Sequence, residues 1–456
     1  MRRIAIALVI AALTASTVFA QQPKKRLALV GGMLLDGYQA PPVHHAAILI
    51  EDDKIVQVGP ASEVTIPPGT TVIDTSGRTM MPGLIDLHVH LMILGHGNYG
   101  VWFPWLAKNG SERVMEISAK QLLMAGVTSA VDLVGPLKES LSVRDRVKKG
   151  EIPGPRLWMS GPWLTKNLSN YPPELKFQIQ INSPEDAARE TEALAKAGVD
   201  VIKAYPMSFE EYKAVADTAH KHKLKVHAHV YDSQHVRDAL HAGIDVLTHV
   251  GAASRQTYDP ALVREIVERS RPVVPTAALW FDVGPATQDF PERLQDPRLK
   301  ADFPPDIYKE VQDSFKSPHT LGYFRNMNRV MMFGAPLVKQ WIDSGAVVGM
   351  GTDSGTPMNF HTEALWREIK VFVENGMPPL RAIEAATRIN AQILGRGNDL
   401  GTIEVGKLAD VIVVKGNPLV NIYALDDPLV VVKGGVVYKG GPAAPARTSS
   451  SREQQR

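Results

Sequence analysis

Met81-Pro82-Gly83-Leu84-Ile85-Asp86-Leu87-His88-Val89-His90 is an apolar run that ends on two histidines one residue apart. It predicts a buried strand over 84–90, and alternation along a strand sends His88 and His90 to the same side. The pattern recurs. Further candidate strands lie at 128–132, 156–160, 199–205, 225–229, 246–249, 272–275 and 347–352. Helical segments separate them. Ser183 and Pro184 start one as N-cap and first-turn proline, Gly198 ends it, and Ser208 with Glu211 predicts a capping box on the next. Eight strands alternating with helices predict an α/β fold, a (β/α)8 TIM barrel, with a long insertion over 282–340. A doubly wound open sheet competes with it, and the spread of polar residues over five strand ends disfavours that arrangement.

Short alternating runs flank the barrel. Leu27–Leu35, Ala47–Val58 broken at Glu51-Asp52-Asp53, and Thr71–Asp74 precede it; Ala409–Val414 and Leu429–Tyr438, turning at Lys433-Gly434-Gly435, follow it. The two ends are expected to pair into one small β-sandwich domain, residues 21–80 plus 395–440, leaving 81–394 to the barrel. Residues 1–20 carry Arg2 and Arg3, the apolar run Ile4–Leu13 and small residues closing on Val18-Phe19-Ala20. That is the pattern of a cleaved signal peptide, and its apolar run is too short to span a bilayer. The expectation is an exported protein, periplasmic or secreted, without membrane attachment after cleavage. Residues 441–456 are polar and proline-rich and read as a disordered tail.

Of 456 residues, 44% are hydrophobic and 21% charged, an ordinary globular composition. Fifty lysines and arginines face 48 acids, and loss of Arg2 and Arg3 leaves 48 of each. This balance argues against a nucleic-acid or anionic-membrane partner. Cysteine is absent, which excludes disulfides, thiolate metal sites, iron–sulfur clusters and a cysteine nucleophile. Any metal must be held by histidine, a carboxylate or a modified lysine.

Such residues gather at strand ends. Lys203 follows the largely apolar Val199-Asp200-Val201-Ile202; the next strand ends in His227-Ala228-His229, the next in His249, and Asp353 follows Gly349-Met350-Gly351-Thr352. C-terminal strand ends are where barrel enzymes build their sites. Neutral imidazoles and a carboxylate suit zinc and similar divalent ions. A buried lysine has a depressed pKa, so its free amine can take up carbon dioxide as a carbamate, a bidentate anion able to bridge two metals. Singly, a strand histidine is more often a core group, and Lys203 could reach the rim. Five strand ends fitting one geometry outweigh those readings.

The 81–90 stretch resembles the signature of the amidohydrolase superfamily, as do Gly126-Val127-Thr128-Ser129, Thr248-His249, Gly351-Thr352-Asp353-Ser354 and Leu400-Gly401-Thr402-Ile403-Glu404-Val405-Gly406-Lys407-Leu408-Ala409-Asp410-Val411. The likeness spans about 26–440 and is nearest in texture to imidazolonepropionase-related and prolidase- or carboxypeptidase-like binuclear members. It implies two divalent ions, zinc the expected one, and cleavage of a C–N amide bond in an N-acyl amino acid or dipeptide by a hydroxide the ions share. His88, His90 and Asp353 would hold one ion, His227 and His249 the other, with carboxylated Lys203 between them. Asp353 would be general base and then acid. Of the 227/229 pair, His227 is assigned as ligand, leaving His229 to face substrate.

Two departures matter. Mononuclear deaminases of the superfamily carry glutamate three positions after the fifth-strand histidine, where this chain has Val230. The prolidase-like Gly-Gly-His after the third strand is replaced by Ser160-Gly161-Pro162-Trp163-Leu164-Thr165, which puts substrate-carboxylate recognition in doubt. Tyr231 is placed to donate to a substrate carbonyl oxygen. The loop 91–108, with His96, Tyr99, Trp102, Phe103 and Trp105, lines a pocket or packs a lid, and His361 and Glu363 support the eighth strand or its loop. The expected partner is a small amide, and a homo-oligomer stays open. The competing functions are a lactonase or esterase on the same metals, an imidazolonepropionase-like cyclic amide hydrolase, and a non-catalytic metal-binding protein.

Overall fold

The computed structural model describes residues 25–250, 257–325 and 334–441. The expected signal segment lies outside these residues, as does the expected tail beyond Gly441. The strands are β1 (Arg26–Leu34), β2 (Val43–Glu51), β3 (Lys54–Pro60), β4 (Thr71–Asp74), β5 (Arg78–Pro82), β6 (Leu84–Val89), β7 (Val127–Asp132), β8 (Arg156–Met159), β9 (Trp163–Thr165), β10 (Gln178–Gln180), β11 (Val201–Ala204), β12 (Lys225–His229), β13 (Val246–Thr248), β14 (Val273–Val274), β15 (Val411–Lys415), β16 (Val430–Lys433) and β17 (Val436–Lys439).

Both chain ends do enter one sheet. Its eight strands run β17-β16-β15-β5-β1-β2-β3, with β4 beside β1, so the described residues show one continuous sheet where a sandwich was expected. β5, unforeseen in the sequence, is its keystone: it pairs antiparallel with β15, Met81 opposite Ile412, and parallel with β1. Alternation divides its side chains. Val411, Val413, Val430 and Val432 pack with Leu27, Leu29 and Ile48, while Ile412, Val414 and Val431 join the main core. The expected hairpin turn is present, with Gly434 and Gly435 both at positive φ.

Pro82 and Gly83 lead from β5 straight into β6. The first seven expected strands are present, each within two residues of its expected bounds. They form two parallel sheets, β6-β7-β8 and β10-β9-β11-β12-β13-β14, the short β9 and β10 being additions. Residues 347–352, expected as the eighth strand, and the two that follow make only parallel bridges to both sheets: Val348 to Val273 and Ser354 to Val89. Leu87 N donates to the Met350 carbonyl at 3.1 Å and Val273 N to that of Val347 at 2.9 Å. Opposite, Asp200 N donates to the Met159 carbonyl at 2.8 Å, beside β11. An apolar layer of Ile85, Leu87, Val131, Val201, Val246 and Val274 joins five of these strands below the site.

The predicted helix punctuation holds: Ser183 Oγ accepts from Asp186 N at 3.2 Å, Gly198 is left-handed, and Ser208 and Glu211 form the capping box. The insertion is mostly helical among its described residues, with helices at Pro297–Asp302 and Pro305–Phe315. It is pinned by Trp105 Nε1 to Asp306 at 2.6 Å and by Gly97 N to Glu310 at 2.9 Å.

The two regions are bolted by Arg156 on β8, whose guanidinium holds Asp410 bidentately, while the same carboxylate accepts from Gly434 N at 2.8 Å. Asp410 is buried. Removing its cation strands a carboxylate, so Arg156→Ala is expected to lower stability by about 3 kcal/mol, with Asp410→Asn in that background recovering part of the loss. Urea-unfolding midpoints of the three proteins check this.

Candidate metal centre

The site is built where residues 347–354 meet β6. Asp86, in the middle of β6, accepts from His88 N at 3.0 Å, Thr352 N at 3.2 Å and Thr352 Oγ1 at 2.7 Å. The His88 carbonyl accepts in turn from Asp353 N at 2.8 Å. Burial pushes the Asp86 carboxyl up to about 7 although these hydrogen bonds favour its anion. Asp353 is thereby delivered at φ 58°, a left-handed conformation; His249 at 65° and Thr276 at 52° share it. Such backbone costs roughly 1–3 kcal/mol per non-glycine residue and gathers at functional sites.

His88, His90 and Asp353, all buried, offer ligand atoms within 4.8 Å of one another. His90 Nε2 lies 2.6 Å and His88 Nε2 3.2 Å from Asp353 Oδ1. Neither approach is an aligned hydrogen bond: both His88 nitrogens, His90 Nδ1 and Asp353 Oδ1 have no hydrogen-bond partner. Buried polar atoms are ordinarily satisfied, so lone pairs converging without protons between them fit a divalent cation.

The second group adjoins it. The His249 ring stands 4.6 Å from that of His88 and 4.3 Å from that of His229, and its Nδ1 meets Thr276 Oγ1 at 2.9 Å. Ala277 N and Ala278 N both donate to the buried Glu368, which fixes the backbone after Thr276. Burial, with neighbouring positive charge second, drives His88, His229 and His249 well below the usual imidazole value. They are neutral bases, the form that binds metal. Lys203, fully enclosed, is lowered to about 7 by burial, with Asp353 opposing. Its Nζ donates to Thr248 Oγ1 at 3.0 Å, and that hydroxyl donates to the Ala228 carbonyl at 2.6 Å.

Of the paired histidines, His229 lies against His249, stacked at 4.1 Å on Tyr205 and 4.6 Å from Tyr231. His227 is one alternation deeper, in register with Lys203, buried, its Nδ1 without a partner, and pushed down to about 3 by burial, then Lys203 and Lys225. The structure therefore groups His88, His90, His229, His249, Lys203 and Asp353, with His227 set apart. Asp232, three positions after His229, is occupied as a helix N-cap, accepting from His235 N at 2.9 Å.

The expected aromatic loop contains a helix, Tyr99–Asn109, capped by Asn98. His96 is sealed against Tyr99 and Trp102 at 4.6 and 4.9 Å, away from the histidine set. His361 does support the site: its Nε2 reaches the Ile93 carbonyl at 2.9 Å, so Nε2 carries the proton and Nδ1 accepts from Ser354 Oγ at 2.8 Å. Glu363 is tied up by Arg293 and Arg367. Sequence reasoning gave no role to Thr276, nor to Asp86, Thr248 and Ser354 although these three stand in the motifs quoted above. Only Asp86 carried a signal, a carboxylate inside an otherwise apolar strand.

Buried imidazoles and a carboxylate beside a low-pKa lysine, gathered where parallel strands end, form a candidate centre of the kind metal-dependent hydrolases use. The comparisons with known proteins specify which. Residues 79–292 and 311–440 match the amidohydrolase family, and the chain belongs to it. It is accordingly a hydrolase of carbon–nitrogen bonds. Ochratoxinase of Aspergillus niger is 25% identical over 472 residues, covering 91% of this chain and 87% of that protein. The crystal structure of a putative prolidase from Bifidobacterium longum is 28% identical at a TM-score of 0.70, covering 92% of this chain and 97% of that one. A Xaa-Pro dipeptidase structure with bound methionine, at 23% identity, matches in fold with a TM-score of 0.74, covering 91% and 100%.

The buried His361 is lowered to about 4, chiefly by burial. A depressed folded value means that its stabilising contribution is full above the unfolded value of about 6.5 and is lost as pH falls toward 4. Unfolding free energy is expected to decline over that window, and His361→Asn to flatten the slope by up to about one proton, measured by denaturant unfolding at a series of pH values.

Proposed function

We propose that the protein is an exported, binuclear metal-dependent amidohydrolase that cleaves the amide C–N bond of N-acyl amino acids or dipeptide-type substrates. Its catalytic unit would be the (β/α)8 barrel of residues 81–394, closed through 347–354, with the sheet of residues 21–80 and 395–440 as its satellite. The observation that carries this reading is the meeting of His88, His90 and Asp353 within 4.8 Å beside an enclosed, low-pKa lysine. The names of the ochratoxinase and of the putative prolidase accord with an amide substrate.

His88, His90 and Asp353 would hold one ion and His249 with His229 the other; Lys203, as its carbamate, would lie between them. His229 replaces the sequence-based choice of His227 because its ring adjoins that of His249. Zinc is the expected metal, and two such ions supply acidified water and polarisation of the scissile carbonyl. The protein's own part is positional and acid–base. Thr248 aims the lysine nitrogen, and Thr276 orients His249 through its Nδ1. Asp353 takes the proton from the attacking water as the C–O bond forms and delivers it to the departing nitrogen as C–N breaks, leaving a carboxylic acid and an amine. Tyr231, beside His229 and His249, donates its hydroxyl to the carbonyl oxygen as negative charge develops there.

Lys203→Ala is expected to bind at most one metal per chain, against two in the parent, and to lose at least about 100-fold in amidase kcat. Elemental analysis alongside turnover on N-acyl amino acids and dipeptides tests it; two retained metals with persisting turnover would refute the bridge. His229→Ala should shed the second metal while His227→Ala keeps both. The reverse result restores His227 as the ligand.

A further inference from the structure

We infer that the site takes amides bearing an aryl group on the acyl or the amine side; this rests on the amidohydrolase reading above and specifies its substrate. Rings from four separate segments form one wall leading outward from His229. Tyr205, just past β11, stacks on His229 at 4.1 Å and 12°. Trp163 of β9 lies 4.3 Å from Tyr205. Beyond it, Tyr171 sits 4.2 Å from Phe103, and Tyr99 bridges from Phe103 at 5.3 Å to Tyr323 of the insertion at 5.8 Å.

The wall packs on the main core but is not wholly enclosed by it. Trp163 and Phe103 are buried, whereas Tyr99, Tyr171, Tyr205 and Tyr323 all keep solvent-accessible surface. Tyr205 sets this wall against the His229 ring, and Tyr323 closes its far end from the insertion. Partly exposed rings that run from one another to His229 give the histidine cluster a flank of aromatic faces that a substrate group can reach. A flat ring finds stacking faces, with phenolic hydroxyls at its edge, and aromatic pairs contribute beyond the area they bury.

The test uses the zinc-loaded full-length enzyme and matched neutral substrates: N-benzoyl against N-cyclohexanecarbonyl alaninamide, and N-acetyl benzylamide against N-acetyl cyclohexylmethylamide. In at least one pair the aryl member should lead by tenfold or more in kcat/KM, with the difference in KM. Tyr205→Leu and Tyr171→Leu should each reduce that lead to threefold or less, while Tyr205→Phe and Tyr171→Phe retain it. Ratios within twofold in both pairs, or a lead that survives both leucine variants, overturn the inference. If the metal-loaded enzyme cleaves no amide of the panel, the amidohydrolase reading has failed separately. Calorimetric binding of benzamide against cyclohexanecarboxamide then decides this one, and equal affinity overturns it.

Discussion

Everything at the candidate centre hangs on one buried carboxylate. Asp86 gathers the backbone of His88 and both the backbone and hydroxyl of Thr352, so one side chain fixes the end of β6 and the segment that carries Asp353. Without a regular eighth strand, residues 347–354 have few ladder bonds to set their register, and Asp86 does so from the side. Asn390 adds a second tie, its Nδ2 donating to the Ile85 and Met350 carbonyls at 2.6 and 2.8 Å while its Oδ1 accepts from Met350 N at 3.0 Å. Two polar side chains thus replace part of a strand, which lets the chain turn at Asp353 into the left-handed region where the carboxylate can face both histidines of β6.

This seam also sets the electrostatics. Enclosure penalises whichever charged form a group could take, and here it does so in opposite senses. Imidazoles and the Lys203 amine are driven toward neutral bases, while the Asp86 carboxyl is driven up. Neutral nitrogen donors at His88, His229 and His249 add no net charge to the cluster. The balanced charge of the chain is consistent with that economy: no compensating field of surface acids is needed when the donors are poised by burial. The lysine's depressed value makes a free amine available near neutral pH, the condition for carbamate formation.

The larger architecture was legible because it is written in periodicity. Seven of the expected strands end where apolar runs end, and the helix caps are local chemistry that a short window contains. β5, β9 and β10 were not legible. β5 is five residues with Arg78 at one end and Pro82 at the other, and its strand character comes from β1 and β15, distant in sequence. β9 and β10 are three residues each and exist only as partners. The failure over 347–352 is of the opposite kind: an apolar, strand-like run whose pairing is carried by Asp86 and Asn390. Among the ligand candidates, His227 and His229 were legible as the end of one strand, but not how deep each would lie. Depth depends on the stagger of β11, β12 and β13, a tertiary quantity.

That stagger ties the centre to the wall of rings. Because β12 projects one histidine pair-step beyond Lys203, His229 emerges beside His249 with its other face against Tyr205. One imidazole then stands in contact with both the histidine cluster and the wall of rings. Such a ring is held by packing on the side where substrate would lie, as well as by its neighbours on the metal side, so its orientation is determined before anything binds. The insertion extends the same logic outward. It is anchored by Trp105 and by Glu310 on one flank and by the buried pairing of Asp282 with Arg367 on the other, and it carries Tyr323 to the far end of the wall. The parallel strands thus locate the chemistry, while the loops that follow them shape the wall of rings, and His229 is the residue where the two tasks meet.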